Sequence, residues 1–172
     1  MHSRPDPSEY APYAEVYVSR VPDGNFVEFL EAQTRRIFPE LRAVTEQQSL
    51  LRYAPGKWSL RESFLHVVDA ERIFTYRALR IARNDQTDLP GFEQDDYIAP
   101  SEAADRTWSS IIDELQAVRA STIQLFRNLP AAAWTRTGSA NGRKASVRGL
   151  AYITAGHVEH HISLLHERYL PR

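Results

Sequence analysis

The sequence predicts an all-α protein that folds as a four-helix bundle. Four long stretches repeat their apolar residues at the helical period, and no stretch alternates apolar and polar residues convincingly enough to predict a strand. Segments rich in proline, glycine and acidic residues separate the four stretches. The chain has 172 residues, of which 42% are hydrophobic, and this is enough for one sizeable core.

Two regions are predicted. Residues 1–22 contain four prolines and little periodicity, so they are expected to form an extended arm that lies along the surface or against a partner subunit. Residues 23–172 form the bundle domain. Its first helix is predicted from Phe26 to Val44, with Asp23 as the N-cap and Pro39 as a point where the helix kinks or breaks.

The second helix is predicted to begin after Ser59. Ser59 and Glu62 have the spacing of a capping box, in which each side chain accepts a hydrogen bond from a free backbone N–H group. The helix continues to about Asn84. Residues 85–100, which contain two prolines and five acidic residues, are long enough for a crossover that lets the second and third helices run parallel.

The third helix is predicted from about Ser101 to Leu129. Residues 131–145 are predicted to be an exposed loop, because glycine and small polar residues dominate them. Ser146 is the predicted N-cap of the fourth helix, which runs to about Tyr169.

Composition excludes several classes of function. Twenty-one basic and 22 acidic residues give a net charge of −1 without a Lys/Arg block, so nucleic acid is not expected as a partner. The chain has no cysteine, which rules out disulfides, thiolate metal sites and cysteine nucleophiles. No apolar stretch approaches the ~18 residues that span a bilayer, and no secretion signal is evident, so a cytoplasmic location is expected.

The fourth helix carries the densest group of candidate metal ligands. In the run Gly-His-Val-Glu-His-His at 156–161, His157 and His161 are one turn apart and share the apolar face. This spacing can bring two imidazoles to one metal ion, although a single buried histidine is more often a hydrogen-bonded core residue. His160 falls at the edge of the apolar face, and His166 points nearly opposite.

A third ligand is available in the second helix, where His66 is the one histidine. Asp69 and Arg77 share its face. Charged groups on a face that is otherwise predicted to be buried need partners or a wet cavity, and a solvated stripe is the alternative explanation.

Several segments, in order along the chain, resemble the DinB-like superfamily, which includes YfiT-like metalloenzymes. They are residues 53–74 (YAPGKWSLRESFLHVVDAERIF), 76–79 (YRAL), 89–92 (LPGF) and 156–161 (GHVEHH). The resemblance extends from about Pro22 to Leu170. It implies a bundle of up-down-down-up topology, often dimeric, and a divalent metal, commonly zinc or nickel with iron as a further candidate, held by His66, His157 and His161.

The resemblance also implies chemistry on small molecules, since some members resemble S-transferases for low-molecular-weight thiols and others have been labelled hydrolases. Three neutral imidazoles leave a coordination position open, as in catalytic metal sites. The leading hypothesis is that the metal activates a thiol cosubstrate for attack on a small electrophile. The alternatives are metal-dependent hydrolysis of a small amide or ester, and a helical interaction protein without catalysis.

Three further residues are candidates for supporting roles. Asp69, one turn beyond His66, could accept a hydrogen bond that orients an imidazole, and Arg77 could bind an anionic substrate. His160 is the third candidate, as a neighbour at the rim of the site. A small-molecule substrate and a homodimer are expected as partners.

Overall fold

The computed structural model describes residues 3–170. The first two residues of the predicted arm and the last two residues of the predicted bundle domain lie outside this range. Seven α-helices occur in the described range: α1 (Glu15–Val18), α2 (Phe26–Ala43), α3 (Glu46–Ser49), α4 (Leu60–Ala82), α5 (Gln94–Ile98), α6 (Trp108–Arg127) and α7 (Val147–Leu164). The predicted all-α four-helix bundle is confirmed, with α2, α4, α6 and α7 as its long helices.

The helix starts follow local capping chemistry. The capping box at Ser59 and Glu62 forms as predicted, and Ser146 accepts a hydrogen bond from the backbone of Gly149 at the start of α7. The predicted N-cap of the first helix is wrong by two residues, because Asn25 and not Asp23 accepts from the first turn of α2. Pro39 lies inside α2, which continues through it.

The third long helix begins later than the sequence pattern suggested. Glu102 adopts a left-handed backbone conformation with φ of 49°, and this interrupts the helical path that was predicted to start at Ser101. Thr107 then caps α6, and the carboxylate of Glu46 accepts from the backbone N–H of Trp108 at 2.9 Å. The segment before α6 forms α5 and two short 3-10 turns.

The prediction of an exposed loop at residues 131–145 is wrong. This region contains an antiparallel hairpin, β1 (Thr137–Ala140) and β2 (Arg143–Ser146), and Trp134 is almost fully buried. The two residues between the strands, Asn141 and Gly142, have positive φ values of 55° and 65°. Asn-Gly is favoured in two-residue hairpin turns for this reason.

The helices α4 and α6 run parallel. Phe64 packs edge-on against Trp108 with ring centroids 5.4 Å apart, and further along both helices Arg119 donates to the carboxylate of Glu71 at 2.7 and 2.8 Å. Residue numbers therefore rise together on the two helices. The long connection of residues 83–107 makes this arrangement possible.

The hydrophobic core has two parts, separated by a layer of polar side chains. On each long helix the buried residues change from one part to the other close to a buried polar group: Gln33 on α2, Glu71 on α4, Arg119 on α6 and His157 on α7. Arg119 donates to Glu71 and Gln33, and Gln33 donates to the backbone oxygen of Ala155 at 3.0 Å. The polar layer is therefore hydrogen-bonded across all four helices.

The N-terminal arm is not extended throughout as predicted, because it contains α1 and two 3-10 turns, and it packs on the bundle of its own chain. Its apolar side chains at Ala14, Val18 and Val21 are buried, and α1 lies against α7. The close approach depends on Gly156, because a Cβ atom at this position would lie 2.0 Å from the backbone oxygen of Tyr17. In the part of the chain that the structure covers, no helix has both the length and the apolar character to cross a membrane.

Candidate metal centre

Three buried histidines meet between α4 and α7. These helices run antiparallel, so His66 on α4 lies opposite His157 and His161, which are one turn apart on α7. The three ring centroids are separated by 4.6 to 5.3 Å. The sequence-predicted trio is thus brought together, and each ring offers a nitrogen within 4.8 Å of the others.

The nitrogen atoms of His66 and His157 are close enough to share a metal ion. The Nε2 atoms of His66 and His157 face each other at 3.1 Å. Two imidazole nitrogens that bind one zinc ion at about 2.0–2.1 Å can be at most about 4.2 Å apart, so the observed separation is within reach of a common ion. Nitrogen donors of this kind suit zinc, nickel and iron.

Burial favours the neutral, metal-binding form of all three imidazoles. Desolvation lowers the pKa of His66 to about 4, although the negative charge of Asp95 partly opposes the shift. The pKa values of His157 and His161 are lowered well below the usual range, mainly by burial and further by the neighbouring histidines. Each ring therefore keeps a free lone pair at neutral pH.

Ser63 fixes one of the rings from behind. Ser63 lies one turn before His66 on α4, and its Oγ is 2.9 Å from Nδ1 of His161. When Nδ1 carries the proton and donates to Ser63, Nε2 of His161 is the nitrogen left with a lone pair. Aromatic rings surround the site on other sides: Trp58 lies 5.0 Å from His66, and Tyr17 and Phe74 lie 5.2 and 5.7 Å from His157.

The first of the other predicted site residues, Asp69, does not contact the imidazoles through a hydrogen bond. Asp69 is half-buried and sits among the charges of Arg72, Glu114 and Arg106; within residues 3–170 it forms no hydrogen bond with an imidazole. Burial raises the pKa of Asp69. The proposed orienting role thus has no hydrogen bond to support it, and Ser63 occupies such a position.

His160 and His166 differ in their surroundings. His160 is half-buried, with its ring 5.6 Å from Tyr17 and 5.4 Å from His161, and within the described chain its Nδ1 has no hydrogen-bond partner. The ring of His166 is hydrogen-bonded to the carboxylate of Glu40 of α2. His160 therefore lies beside the three histidines, and His166 lies away from them.

Two cavities open onto the histidines. The first, here called the tryptophan cavity, has a volume of about 380 Å³ and is lined by Tyr53, Lys57, Trp58, Ser63, His161 and Tyr169. The second, the arginine cavity, has a volume of about 260 Å³ and is lined by Tyr13, Phe74, Arg77, Phe92, Glu93 and Asn141. Both also contact Tyr17, His66, Gln94, Asp95 and His157. The predicted ligand His66 therefore lies where the two cavities meet.

Sequence reasoning missed four residues of this region: Tyr17, Trp58, Ser63 and Asp95. Ser63 could have been found from its position three residues before His66, which places it on the same helical face. Asp95 belongs to the acidic connection, whose return to the site no local pattern reveals. Tyr17 comes from the arm, and only the tertiary packing brings it to His157.

Comparison with known families agrees with this architecture. The family model described as "DinB superfamily" matches residues 30–165, a stretch that contains all three histidines. The arm, which includes Tyr13 and Tyr17, lies before the matched stretch. A comparison with curated protein sequences finds no match.

Solved structures support the same fold. A structure described as "YfiT from Bacillus subtilis is a probable metal-dependent hydrolase with an unusual four-helix bundle topology" superposes with a TM-score of 0.66. The alignment covers 92% of this chain and 87% of that chain, at 15% sequence identity. Similarity at this level of identity supports a shared fold.

Proposed function

The chain belongs to the DinB superfamily, and we propose that it is a divalent-metal-dependent enzyme that acts on a small molecule. One observation carries the proposal: three buried imidazoles, kept neutral by desolvation, converge at the meeting point of two cavities. His66, His157 and His161 would hold the ion, with zinc or nickel expected and iron as a further candidate.

A divalent cation bound by three imidazoles can act as a Lewis acid that lowers the pKa of a thiol or water ligand. The chain's own residues supply the surroundings. Ser63 orients the ring of His161, and the aromatic rings of Tyr17, Trp58 and Phe74 limit access of bulk water. The chain has no cysteine, so a thiol nucleophile would come from a cosubstrate.

The finer proposal is transfer of a low-molecular-weight thiol to a small electrophile. Two cavities reach His66 and His157, and this favours a reaction in which two small molecules meet at one site. The tryptophan cavity, at about 380 Å³, is the larger and would take the thiol. The arginine cavity would take the electrophile.

Hydrolysis of a small amide or ester is the second candidate. The exposed carboxylate of Asp95 lines both cavities and lies close enough for its charge to oppose part of the lowering of the His66 pKa, so it could accept a proton from an attacking water. The description of the YfiT structure as a probable metal-dependent hydrolase favours the same chemistry.

Metal binding is tested by elemental analysis of the protein as isolated and by titration of chelator-treated protein with Zn²⁺ or Ni²⁺. We expect one ion per chain and a higher melting temperature. The double variant His157→Ala/His161→Ala should lose the ion, whereas His166→Ala should keep it. Full metal occupancy in the double variant would contradict the ligand assignment. If the isolated protein contains no metal, and added Zn²⁺ or Ni²⁺ neither binds nor raises its melting temperature, a non-catalytic interaction protein is favoured.

The reaction is tested by offering the metal-loaded protein small electrophiles, esters and amides, each with and without glutathione, mycothiol or bacillithiol. Conjugation that requires the thiol supports S-transfer. Turnover of esters or amides without any thiol supports hydrolysis and excludes S-transfer as the main activity. The homodimer and the cytoplasmic location stay predictions, which sedimentation and cell fractionation would test.

A further inference from the structure

Arg77 differs from the other buried arginines in having no carboxylate partner. In the described range, Arg61 pairs with Glu46 and Arg119 pairs with Glu71. Arg77 is 8% exposed, and its Nη2 donates to the backbone oxygen of Pro90 at 2.6 Å. No carboxylate of residues 3–170 lies within ion-pair distance of it. A buried guanidinium normally has an acidic partner, because its charge is costly to remove from water.

The guanidinium of Arg77 lies at the wall of the arginine cavity. It sits 5.9 Å from the centre of the Phe92 ring, and it shares the cavity with His66 and His157. Within the described residues, the titratable groups that influence its pKa are the phenols of Tyr13 and Tyr97, and no carboxylate is among them. Burial lowers the pKa of Arg77, as expected for a cation that lacks a compensating negative charge.

Further positive charge lies next to the cavity. Arg143 and Lys144 of strand β2 share a small adjoining cavity with Arg77 and Tyr13. Both are exposed, and neither forms an ion pair within the described residues. The exposed carboxylates of Glu93 and Asp95 also line the arginine cavity, and the charge of Asp95 acts on His66. The positive charge is therefore concentrated at the end formed by Arg77 and β2.

Part of the remaining wall is aromatic. Tyr13, Tyr17, Phe74 and Phe92 line the cavity together with the polar side chains of Gln94 and Asn141. Aromatic side chains favour flat or apolar ligand bodies, whereas the planar fork of arginine matches a carboxylate. A volume of about 260 Å³ limits the occupant to a small molecule.

We propose that the arginine cavity binds a small carboxylic acid with an aromatic or apolar body. The carboxylate would pair with Arg77, the body would contact Tyr13, Tyr17, Phe74 and Phe92, and the other end would face His66 and His157. This inference rests on the proposed function for its reaction, because it names the substrate class of the same site. Binding itself needs only Arg77 and the aromatic wall, so it can be measured without a metal ion.

The test uses chelator-treated, full-length protein and calorimetric titration with phenylacetate and 3-phenylpropionate. The matching neutral primary amides have nearly the same shape and serve as controls. We expect saturable binding of the acids, with the amides weaker by roughly 10- to 100-fold, since the charge-assisted hydrogen bonds are lost. Equal affinity for acids and amides, or no binding of the acids up to millimolar concentration, would overturn the proposal.

Variants assign the effect to Arg77. Arg77→Gln should abolish the preference for the acids, and Arg77→Lys should keep only part of it, because lysine lacks the planar fork. Arg72→Gln is the matched control on the same helix, since Arg72 pairs with Glu114 and does not line the cavity. Circular dichroism establishes that each variant is folded. If Arg77→Gln does not fold, the proposal is tested by the acid–amide preference of the native chain and by its partial loss in Arg77→Lys.

The metal-site variant separates this proposal from the proposed enzyme function. His157→Ala/His161→Ala should lose metal but still prefer the acids, because Arg77 is unchanged. If the native protein binds no metal yet prefers the acids, the enzyme proposal fails and the carboxylate site stands. A preference that appears only after metal is added would mean that the acids bind the ion, and this would overturn the assignment to Arg77.

Discussion

Ser63 illustrates how a single hydroxyl can organise a site that is otherwise made of imidazoles. A ring that is buried among apolar neighbours can rotate about its χ2 bond unless one nitrogen is held. The contact of 2.9 Å between Ser63 Oγ and His161 Nδ1 holds this ring and fixes which nitrogen points to the other histidines. This ring of the trio is therefore held in place before any ligand binds.

We predict that Ser63→Ala weakens metal binding by roughly tenfold or more, because His161 loses its orienting partner. The change is measured by competition titration with a metal-sensitive dye. Ser163→Ala is a matched control on α7, since Ser163 contacts Arg20 and Glu159 and not the histidines. Equal metal affinity of the native protein and Ser63→Ala would show that packing alone orients the ring.

The arm, as an element, is joined to the bundle by an ion pair and by close backbone approaches at Gly149 and Gly156. Glu9 pairs with Arg148 at the start of α7, and Tyr17 crosses the same helix at Gly156. Because Tyr17 also contacts His157, the position of the arm and the shape of the site are coupled.

We predict that Gly156→Ala destabilises the protein by about 1–3 kcal/mol. Alanine is the better helix former, but its Cβ would lie 2.0 Å from the backbone oxygen of Tyr17 and would push the arm away. Hydrogen exchange in residues 10–21 should become faster, and denaturant unfolding should shift to lower midpoints. If the exchange pattern is unchanged and the denaturant midpoint rises, the arm accommodates the new methyl group without a loss of stability.

The Glu9–Arg148 pair predicts a specific dependence on pH. Burial alone would raise the pKa of Glu9, but hydrogen bonds from Arg148, Ser146 and the backbone outweigh it and lower the pKa from 4.5 to about 2. The stabilisation is therefore complete above pH 4.5 and is lost as the pH falls towards 2.

In Glu9→Gln we expect about 2 kcal/mol less stability at neutral pH and a smaller loss between pH 5 and pH 2. Urea unfolding at several pH values measures both effects. If the native and variant proteins lose stability in parallel on acidification, the carboxylate of Glu9 is not responsible.

Local signals predicted some elements well and others poorly. The capping box at Ser59 placed the start of α4 within a residue, because both of its hydrogen bonds are made inside the first turn. The start of α6 was missed because it depends on Glu46, which is distant in sequence, and on the backbone of Glu102. The hairpin had a local signal in Asn141-Gly142 that was interpreted only as a loop.

At the scale of the whole molecule, the polar layer divides the core into two apolar parts. Arg119, Glu71 and Gln33 satisfy one another in the interior, and the ion pair has only 1% exposure on either side chain. Such a network adds little net stability compared with an apolar core, but breaking it leaves an unpaired buried charge. The layer also fixes the positions of the four helices relative to one another along the bundle axis. The contact between His66 and His157 depends on these positions.

We predict that Arg119→Met lowers the free energy of unfolding by about 3–5 kcal/mol, because Glu71 is left buried and unpaired. Glu71→Met/Arg119→Met should lose clearly less. Arg127→Met on the same helix is the control; its pair with Glu31 is partly exposed, so we expect at most about 1 kcal/mol. Chemical unfolding compares the variants, and a double variant as unstable as the single one would contradict this account.

The sequence predicted that the three histidines lie together, because helical periodicity places His157 and His161 on one face of α7 and the family resemblance adds His66 of α4. It could not predict what stands beside the trio. Asp69 has the sequence spacing from His66 that an orienting residue would need. Its side chain instead lies among the charges of Arg106 and Glu114. Tyr17 and Asp95 reach the site through the course of the arm and the crossover, which follows from packing of the complete chain.

The approach of the arm across Gly156 has a consequence for how such a protein could diversify. The three histidines of the candidate metal centre lie on helices inside the stretch shared with the family, whereas Tyr13 and Tyr17 lie ahead of it. One part of the wall of the arginine cavity therefore comes from outside the stretch shared with the family. Exchanging the arm for a different sequence would alter that part of the wall and leave the three histidines and Arg77 in place.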